Sequence, residues 1–145
     1  MEIVNRKARF DYEVLEEYEA GIVLTGTEIK SIRDCKANIK DCYGVIREME
    51  VYLLNMHISH YEQGNIFNHD ETRTRKLLLH KKEILKLNDR VKLEGLTLIP
   101  LKVYFKKNKA KILLGLCRGK KNYDKRETIK ERDIKRDLQK NYKYN

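Results

Sequence analysis

Apolar and polar positions alternate near the start of the chain. Residues 10–14 switch between apolar and acidic side chains, which predicts a half-buried strand. This strand is expected to bend near residues 16–17 and to continue into the apolar run 21–24, whose composition is typical of a buried strand. Residues 1–9 are polar and basic, and an unfolded tail is the simplest interpretation of them.

Two pairs of apolar, β-rich runs predict hairpins farther along the chain. Residues 43–46 and 51–56 are separated by a short turn that lacks the usual Asn-Gly signal. Residues 96–105 and 109–117 form the second pair. Pro100 lies inside this second pair and has no amide hydrogen to donate, so we expect it at a sheet edge or a bulge.

Helical spacing is found in two places. Thr25 and Glu28 stand in the capping-box relation, which predicts a short helix that opens at residues 26–27, with Ile29 and Ile32 on its inward face. The second helix is predicted over residues 81–93, where Ile84, Leu87 and Val91 recur among charged residues before Gly95.

Beside the apolar face of the first helix, three cations recur every three residues and are called the basic ridge here: Lys30, Arg33 and Lys36. A row of this kind is often no more than a solvated helix face. Between the ridge and the second helix, residues 59–75 are polar and without a period, so this long loop is expected to be mobile or to form a contact surface.

These elements predict a mainly β fold. Several short antiparallel strands with two or three short helices between them suggest a small closed barrel or a strongly curved sheet around one core. The 145 residues suit one domain of this kind. We place the folded domain in residues 1–119.

Charge points to an anionic partner. The chain has 32 Lys and Arg against 22 Asp and Glu, a net charge of +10, which favours nucleic acid or an anionic membrane surface through counterion release. No apolar run reaches the roughly 18 residues of a membrane span, and the N-terminus lacks the apolar region of a signal peptide. We therefore expect a soluble, cytoplasmic protein that is not bound to a membrane.

Side chains that would carry catalysis or hold a metal are not grouped in the sequence. The three cysteines form no CxxC pair, and the four histidines lack the spacing of a helical metal site. We expect no metal, no cofactor and no catalytic residue. A small nuclease that uses His57 or His80 is the least favoured alternative, because neither has a paired base, nucleophile or metal constellation.

The last 26 residues, 120–145, carry half of the excess charge. They contain ten Lys and Arg and five Asp and Glu, a difference of ten minus five, or +5. A thin apolar stripe of Ile129, Ile134, Leu138 and Tyr142 is too small to stabilise a helix alone. We expect this tail to be disordered in the free protein and helical when bound to a partner.

Six stretches in order account for much of the chain: EAGIVLTGTEIKSIR, KANIKD, NMHIS, TRTRKLLLHKKEI, GLTLIPLKVYF and GKKNYDKRETIKER. Together they resemble the SsrA-binding protein family of bacteria, SmpB, over residues 5–132. The resemblance implies an antiparallel barrel of the oligonucleotide-binding (OB) type. It implies a monomeric, non-enzymatic adaptor that binds the tRNA-like domain of transfer-messenger RNA (SsrA) and accompanies it to stalled ribosomes in trans-translation. The alternative is a general single-stranded-RNA or ribosome-associated binding protein.

The resemblance also implies roles for individual residues. Asn5, Glu19 and Leu78 match positions important for RNA binding, where Asn5 and Glu19 are expected to fix loop geometry or contact the RNA. Leu78 is expected to pack beneath the RNA surface, with an ordinary core role as the alternative. The basic or polar RNA-facing surface is matched by Lys7, Arg9, the basic ridge of Lys30, Arg33 and Lys36, and Asn38.

The tail motif matches the segment that enters the empty messenger channel and the decoding centre of the small ribosomal subunit: Gly119, Lys120, Lys121, Tyr123, Asp124, Lys125 and Arg126. Four positions depart from the family pattern. Phe10 replaces a common histidine, Cys35 replaces a usual glycine after the first helix, and His60 and Glu71 replace common prolines. A sharp helix end at Cys35 is therefore not assumed.

Overall fold

The computed structural model describes residues 1–62 and 68–120. In this part of the chain, nine strands and three helices follow one another: β1 (Glu2–Val4), α1 (Arg6–Asp11), β2 (Tyr12–Ile22), α2 (Gly26–Arg33), β3 (Ala37–Asn38), β4 (Tyr43–Arg47), β5 (Glu50–Leu54), β6 (His57–Ile58), β7 (Arg75–Leu78), α3 (Lys81–Glu94), β8 (Thr97–Lys106) and β9 (Lys109–Gly119).

Six strands form a closed ring of antiparallel pairs. The order is β8-β4-β5-β7-β2-β9, and β9 pairs back with β8. Strand β1 adds to β8 through Glu2–Val4, while β3 and β6 make a separate two-stranded sheet. The predicted mainly β, antiparallel fold with short helices is confirmed. The ring explains why these strands are rich in β-branched and leucine residues, since each one has an inner face to bury.

Both predicted hairpins are present. The turns between β4 and β5 and between β8 and β9 use non-glycine residues at positive φ: Glu48 and Met49, then Lys107 and Asn108. Two positive φ angles in a row are the backbone of the tight hairpin turn that matches strand twist. The pairing of β8 with β9 shifts register between Pro100 and Lys102, so of the two predicted settings, a sheet edge or a bulge, the structure has the bulge.

The core fills the inside of the ring. Leucine and isoleucine side chains from β5, β7, β8 and β9 are buried there, and helices α2 and α3 add one apolar residue each with no exposed surface, Ile32 and Leu87. Helix α3 covers the predicted residues and ends at Gly95, where φ is 64°. The inward-facing positions predicted for both helices are confirmed for Ile32, Ile84 and Leu87, which are buried.

The N-terminal prediction was wrong. Residues 1–9 are not an unfolded tail, because they form β1 and most of α1. Phe10 belongs to this helix, so the strand begins two residues later than predicted, at Tyr12. The pairing of this strand with β9 shifts register between Val14 and Glu16, next to the bend predicted near residues 16–17. The run 21–24 is less buried than predicted, since Val23 is 44% exposed.

Candidate nucleic-acid interface

Helix α2 carries the first two cations of the basic ridge. Its first turn is closed by the predicted capping box, in which Glu28 Oε1 accepts from the Thr25 amide at 2.8 Å and Thr25 Oγ1 accepts from the Glu28 amide at 3.4 Å. Both bonds satisfy amides that the helix itself leaves without a partner. The start of the helix, and with it the direction of the ridge, is set by local sequence.

The end of α2 is a Schellman motif built on a cysteine. The Cys35 amide donates to Ile32 O and the Lys36 amide donates to Ser31 O, both at 2.9 Å. Cys35 has a φ of 58°, a conformation that glycine adopts with less strain. The sharp helix end therefore forms without the usual glycine, and it holds Lys36 directly beyond the helix.

All three ridge cations are exposed, and each contacts a side chain of the described residues. Lys30 Nζ lies 5.4 Å from the centre of the Tyr61 ring, and Arg33 Cζ lies 5.2 Å from the centre of the Phe105 ring. Lys36 Nζ lies 3.4 Å from a carboxylate oxygen of Glu62. Exposed pairs of this kind are weak, so the cations remain available to a phosphate.

Beneath the ridge lies a buried ion pair that sequence reasoning did not find. Glu28 and Arg75 have no exposed surface, and Arg75 Nε donates to Glu28 Oε2 at 2.5 Å. Arg73 Nη2 donates to the other oxygen at 2.7 Å. Burial alone would raise the pKa of Glu28, but hydrogen bonds from Arg73, the Thr25 amide and Arg75 outweigh it and lower that pKa.

Arg75 also organises the loop before β7. Its Nη1 donates to Met56 O at 2.6 Å and to Arg73 O at 2.9 Å, and its Nη2 donates to Asp70 O and Glu71 O at 3.3 Å each. The planar fork of a guanidinium suits such multiple acceptors. One buried side chain thus connects this loop to the helix that carries the ridge, so the described part of the loop has a defined position beside the ridge.

Histidines strengthen the same loop. His69 is buried and bridges Thr27 Oγ1, at 2.8 Å, and Ile58 O, at 2.9 Å. At the surface, Glu71 lies 2.6 Å from His57 and 3.5 Å from His60. His60 and Glu71, the two residues that replace family prolines, are therefore in contact, and this contact joins the two ends of the loop.

Glu19 and Leu78 line one groove of about 550 Å³. Ile29 of α2 contributes to its wall, and Lys109 and Lys111 contribute from β9. Leu78 is 51% exposed, which excludes an ordinary core role and also means that it forms part of the surface itself. The groove combines an apolar floor with cations, the combination that a nucleotide base and its phosphate require.

Glu19 is held in its charged form within this groove. Tyr104 Oη donates to Glu19 Oε2 at 2.5 Å, and Lys106 Nζ lies 3.4 Å from Oε1. The hydrogen bond from Tyr104 is the main reason that the pKa of Glu19 lies below its ordinary value. Burial and the bond to Glu19 raise the pKa of Tyr104 to about 12, so this hydroxyl stays protonated. A fixed carboxylate can accept from a base edge or a 2′-hydroxyl.

A second groove, of about 450 Å³, is lined by Asn5, Lys7 and Asn38. Asn5 is 4% exposed, and its amide nitrogen donates to Ile39 O at 3.1 Å and to Pro100 O at 2.9 Å. Its oxygen accepts from the Ala8 amide at 3.2 Å and caps α1. Asn5 thus fixes the walls of the groove, whereas Lys7 and Asn38 are exposed on them.

The chain leaves this domain next to α1. The Lys120 amide donates to Asp11 O at 2.9 Å, and Lys120 Nζ donates to Arg9 O at 3.1 Å. Arg9 is exposed and pairs with Glu17 at 3.1 Å. Gly119 and Lys120 are the only residues of the predicted tail motif inside the described ranges. The others, and the predictions of a free disordered tail and a bound helix, lie outside them: Lys121, Tyr123, Asp124, Lys125 and Arg126.

Comparison with known proteins decides the family. The family model described as SmpB protein matches residues 2–144. The chain belongs to the SmpB family. A relative from Ligilactobacillus salivarius (strain UCC118), an SsrA-binding protein, is 58% identical over 139 residues, 96% of this chain and 90% of the relative. The resemblance inferred from the sequence is confirmed.

Further SmpB relatives show the same agreement. An SsrA-binding protein of Enterococcus faecalis (strain ATCC 700802 / V583) is 57% identical over 97% of this chain and 92% of its own length. A solved structure described as "tmRNA-SmpB: a journey to the center of the bacterial ribosome" is 51% identical, with a TM-score of 0.70. It covers 83% of this chain, and the match spans 85% of that chain.

The SmpB site residues predicted from sequence therefore fall into distinct places. Glu19 and Leu78 share the first groove, Asn5, Lys7 and Asn38 share the second, and the ridge follows α2. The structure adds Tyr104, which donates to Glu19. It also adds Arg75 and His69, which connect helix α2 to the loop before β7. Arg75 is the first residue of β7 and follows a polar loop without a period, so nothing local in the sequence identifies it as buried.

Metal and membrane features are absent from the part of the chain that the structure describes. In residues 1–62 and 68–120, no group of three or more His, Cys, Asp and Glu side chains could hold a metal ion. No helix in those ranges is long and apolar enough to cross a membrane.

Proposed function

We propose that this chain binds the tRNA-like domain of transfer-messenger RNA (SsrA) and acts with it on stalled ribosomes in trans-translation. The observation that carries this proposal is the 57–59% identity, over nearly the whole chain, to proteins named for SsrA binding. The solved structure that covers 83% of the chain joins SmpB, tmRNA and the ribosome in its description. The net charge of +10 suits such a partner.

The protein acts as an adaptor and not as an enzyme. Its RNA interface consists of the basic ridge and the two grooves, where exposed lysines meet phosphates while Glu19 and Leu78 contact a base or sugar. Asn5 acts indirectly, because its buried amide holds Ile39, in the wall of the second groove, and is itself anchored to Pro100 of β8. Incubation with labelled RNA tests the absence of catalysis, since cleavage would reveal a nuclease.

The chain divides at the end of β9. Residues 1–119 form the RNA-binding unit and 120–145 form the ribosome-binding tail, which enters the messenger channel and the decoding centre. Arg and Lys of the tail contact ribosomal phosphates, and Tyr123 stacks on a ribosomal base. The described part of the chain ends beside α1, where Lys120 Nζ donates to Arg9 O, so the proposed tail starts at this side of the RNA-binding unit. The protein works as a monomer in the cytoplasm.

RNA capture tests the proposal. The tagged full chain is recovered from a bacterial lysate, washed at moderate salt, and the bound RNA is sequenced. We expect one dominant RNA with a tRNA-like end and an internal reading frame. A mixture in proportion to cellular abundance would contradict the proposal and favour a general RNA-binding protein. Alanine at all three ridge positions is the matched variant, because it removes charge from exposed sites without changing the core.

A further inference from the structure

The residues that follow β6 lie along the basic ridge. The Ser59 amide donates to Lys36 O at 3.0 Å, which fixes the start of this segment at the end of α2. Two residues later, the Tyr61 ring lies 5.4 Å from Lys30 Nζ. Glu62 places a carboxylate oxygen 3.4 Å from Lys36 Nζ, so the ridge already accommodates an anion at that position.

Tyr61 is held in place by a side-chain clamp. The Tyr61 amide donates to Asn68 Oδ1 at 3.1 Å, and Asn68 Nδ2 donates to Tyr61 O at 2.7 Å. The paired bonds reproduce the exchange between two residues of an antiparallel ladder. The backbone that carries the tyrosine is thus fixed before any partner arrives, which reduces the entropy that binding must offset.

The Tyr61 ring does not serve the hydrophobic core. It is partly exposed, and neither hydrophobic cluster of the described residues includes it. Phe105, the aromatic neighbour of Arg33, is packed against the main cluster and has an ordinary structural role. A tyrosine that is clamped, partly exposed and next to a cation is therefore suited to an external planar group.

We propose that Tyr61 is a base-stacking residue of the RNA interface and that Lys30 holds the phosphate next to the stacked base. This rests on the proposed function and adds a contact for one nucleotide to it. A nucleotide presents a flat base beside an anionic phosphate, which matches an aromatic ring beside an ammonium group. When RNA binds, Lys30 moves from the ring to the phosphate and leaves the face of the tyrosine to the base.

Binding of the tRNA-like domain to the full chain at several salt concentrations tests this. Tyr61→Leu is expected to weaken binding about 5- to 150-fold with an unchanged salt slope, since stacking releases no counterions. Lys30→Ala should lower the salt slope by about one. Tyr61→Phe keeps the ring and should bind within about twofold of the wild type. The matched control is Tyr52→Leu, which removes a tyrosine whose hydroxyl donates to Glu50 in β5.

A loss of less than about twofold for Tyr61→Leu, or an equal loss for Tyr52→Leu, would overturn the proposal. A direct readout guards against a folding defect: ring-proton resonances of Tyr61 in labelled wild-type protein should shift upfield when RNA is added, and an unmoved resonance would refute stacking. If the wild type binds unrelated RNA equally well, the proposed function fails. The difference in affinity between Tyr61→Leu and the wild type for that same RNA still decides whether Tyr61 stacks on a base.

Discussion

Replacing Arg75 by methionine should strongly destabilise the protein, although Arg75 directly follows a polar loop and shows no sign of burial in the sequence. Methionine has a similar length and no charge. The change removes the hydrogen bond to Glu28 Oε2 and the donors to four backbone carbonyls. The buried Glu28 carboxylate and several backbone carbonyls then lose hydrogen-bond donors. Leaving such groups without partners is the main cost of breaking a buried ion pair.

The expected loss in the free energy of unfolding depends on the hydrogen bonds that Glu28 keeps. Removing one partner of a buried pair costs about 3–5 kcal/mol. Glu28 keeps its bonds from Arg73 at 2.7 Å and from the Thr25 amide at 2.8 Å, so the lower end, about 3 kcal/mol, applies. With a urea dependence of about 2 kcal/mol per molar, the unfolding midpoint should fall by about 1.5 M.

The neighbouring residue supplies the control. Lys76 pairs with Glu50 at 2.8 Å, but these side chains are 40% and 43% exposed. Lys76→Met should therefore cost no more than about 1 kcal/mol. Arg75→Lys should lie between the two, because it keeps the charge but not the fork. A loss below about 1 kcal/mol for Arg75→Met would refute the reasoning.

Acid should weaken the same pair. The pKa of Glu28 is lowered in the folded protein, so this group adds stability above its unfolded pKa of about 4.3, and the contribution is lost as the pH falls through the folded value. The difference in unfolding free energy between the wild type and Glu28→Gln should accordingly shrink below about pH 4. A difference that stays constant to pH 2 would show that the carboxylate charge is not what matters.

Four further predictions concern single features. Cys35→Gly should raise the free energy of unfolding by about 0.5–1 kcal/mol, because the strain of the left-handed backbone that it removes exceeds the backbone entropy that glycine adds to the unfolded chain. Urea unfolding should show no such gain for Cys35→Ala, because alanine keeps the strain. Leu78→Ala should weaken RNA binding at little cost in stability. Leu77 is 1% exposed, so Leu77→Ala should lower the free energy of unfolding by about 2–5 kcal/mol. Equal unfolding losses for the two variants would contradict this. Alanine at all three positions of the basic ridge should lower the salt slope of RNA binding by about two to three, and an unchanged slope would remove the ridge from the interface. Alanine at residues 124–126 should spare RNA affinity but abolish peptide tagging on stalled ribosomes, and retained tagging would contradict the role of the tail.

Local sequence rules predicted the elements whose causes are local. The capping box at Thr25, the αL stop at Gly95 and the bulge at Pro100 each depend on a few neighbouring residues. Strand pairs joined by short turns were predicted for the same reason. The positions of the grooves could not be predicted, because they depend on which distant strands meet in the ring.

The N-terminus shows where the local rules stop. Strand β1 has three residues, and its Glu2 pairs with Tyr104 about a hundred positions away. Helix α1 has six residues, too few to be stable alone, and is set by the contacts of Asn5 with Ile39 and Pro100. The Glu28–Arg75 pair is likewise separated by 47 positions. Such contacts leave no periodic trace in the sequence.

The double pairing of β9 has a consequence for synthesis. This strand, the last in residues 1–62 and 68–120, joins β2 on one side and β8 on the other, so the ring can close only after residues 109–119 have been made. Until then, the growing chain presents two unpaired strand edges, on β2 and on β8, which invite pairing with other chains. A product that ends before Lys109 would keep both edges permanently. A message that is intact through the codons for β9 is thus a condition for the ring to close.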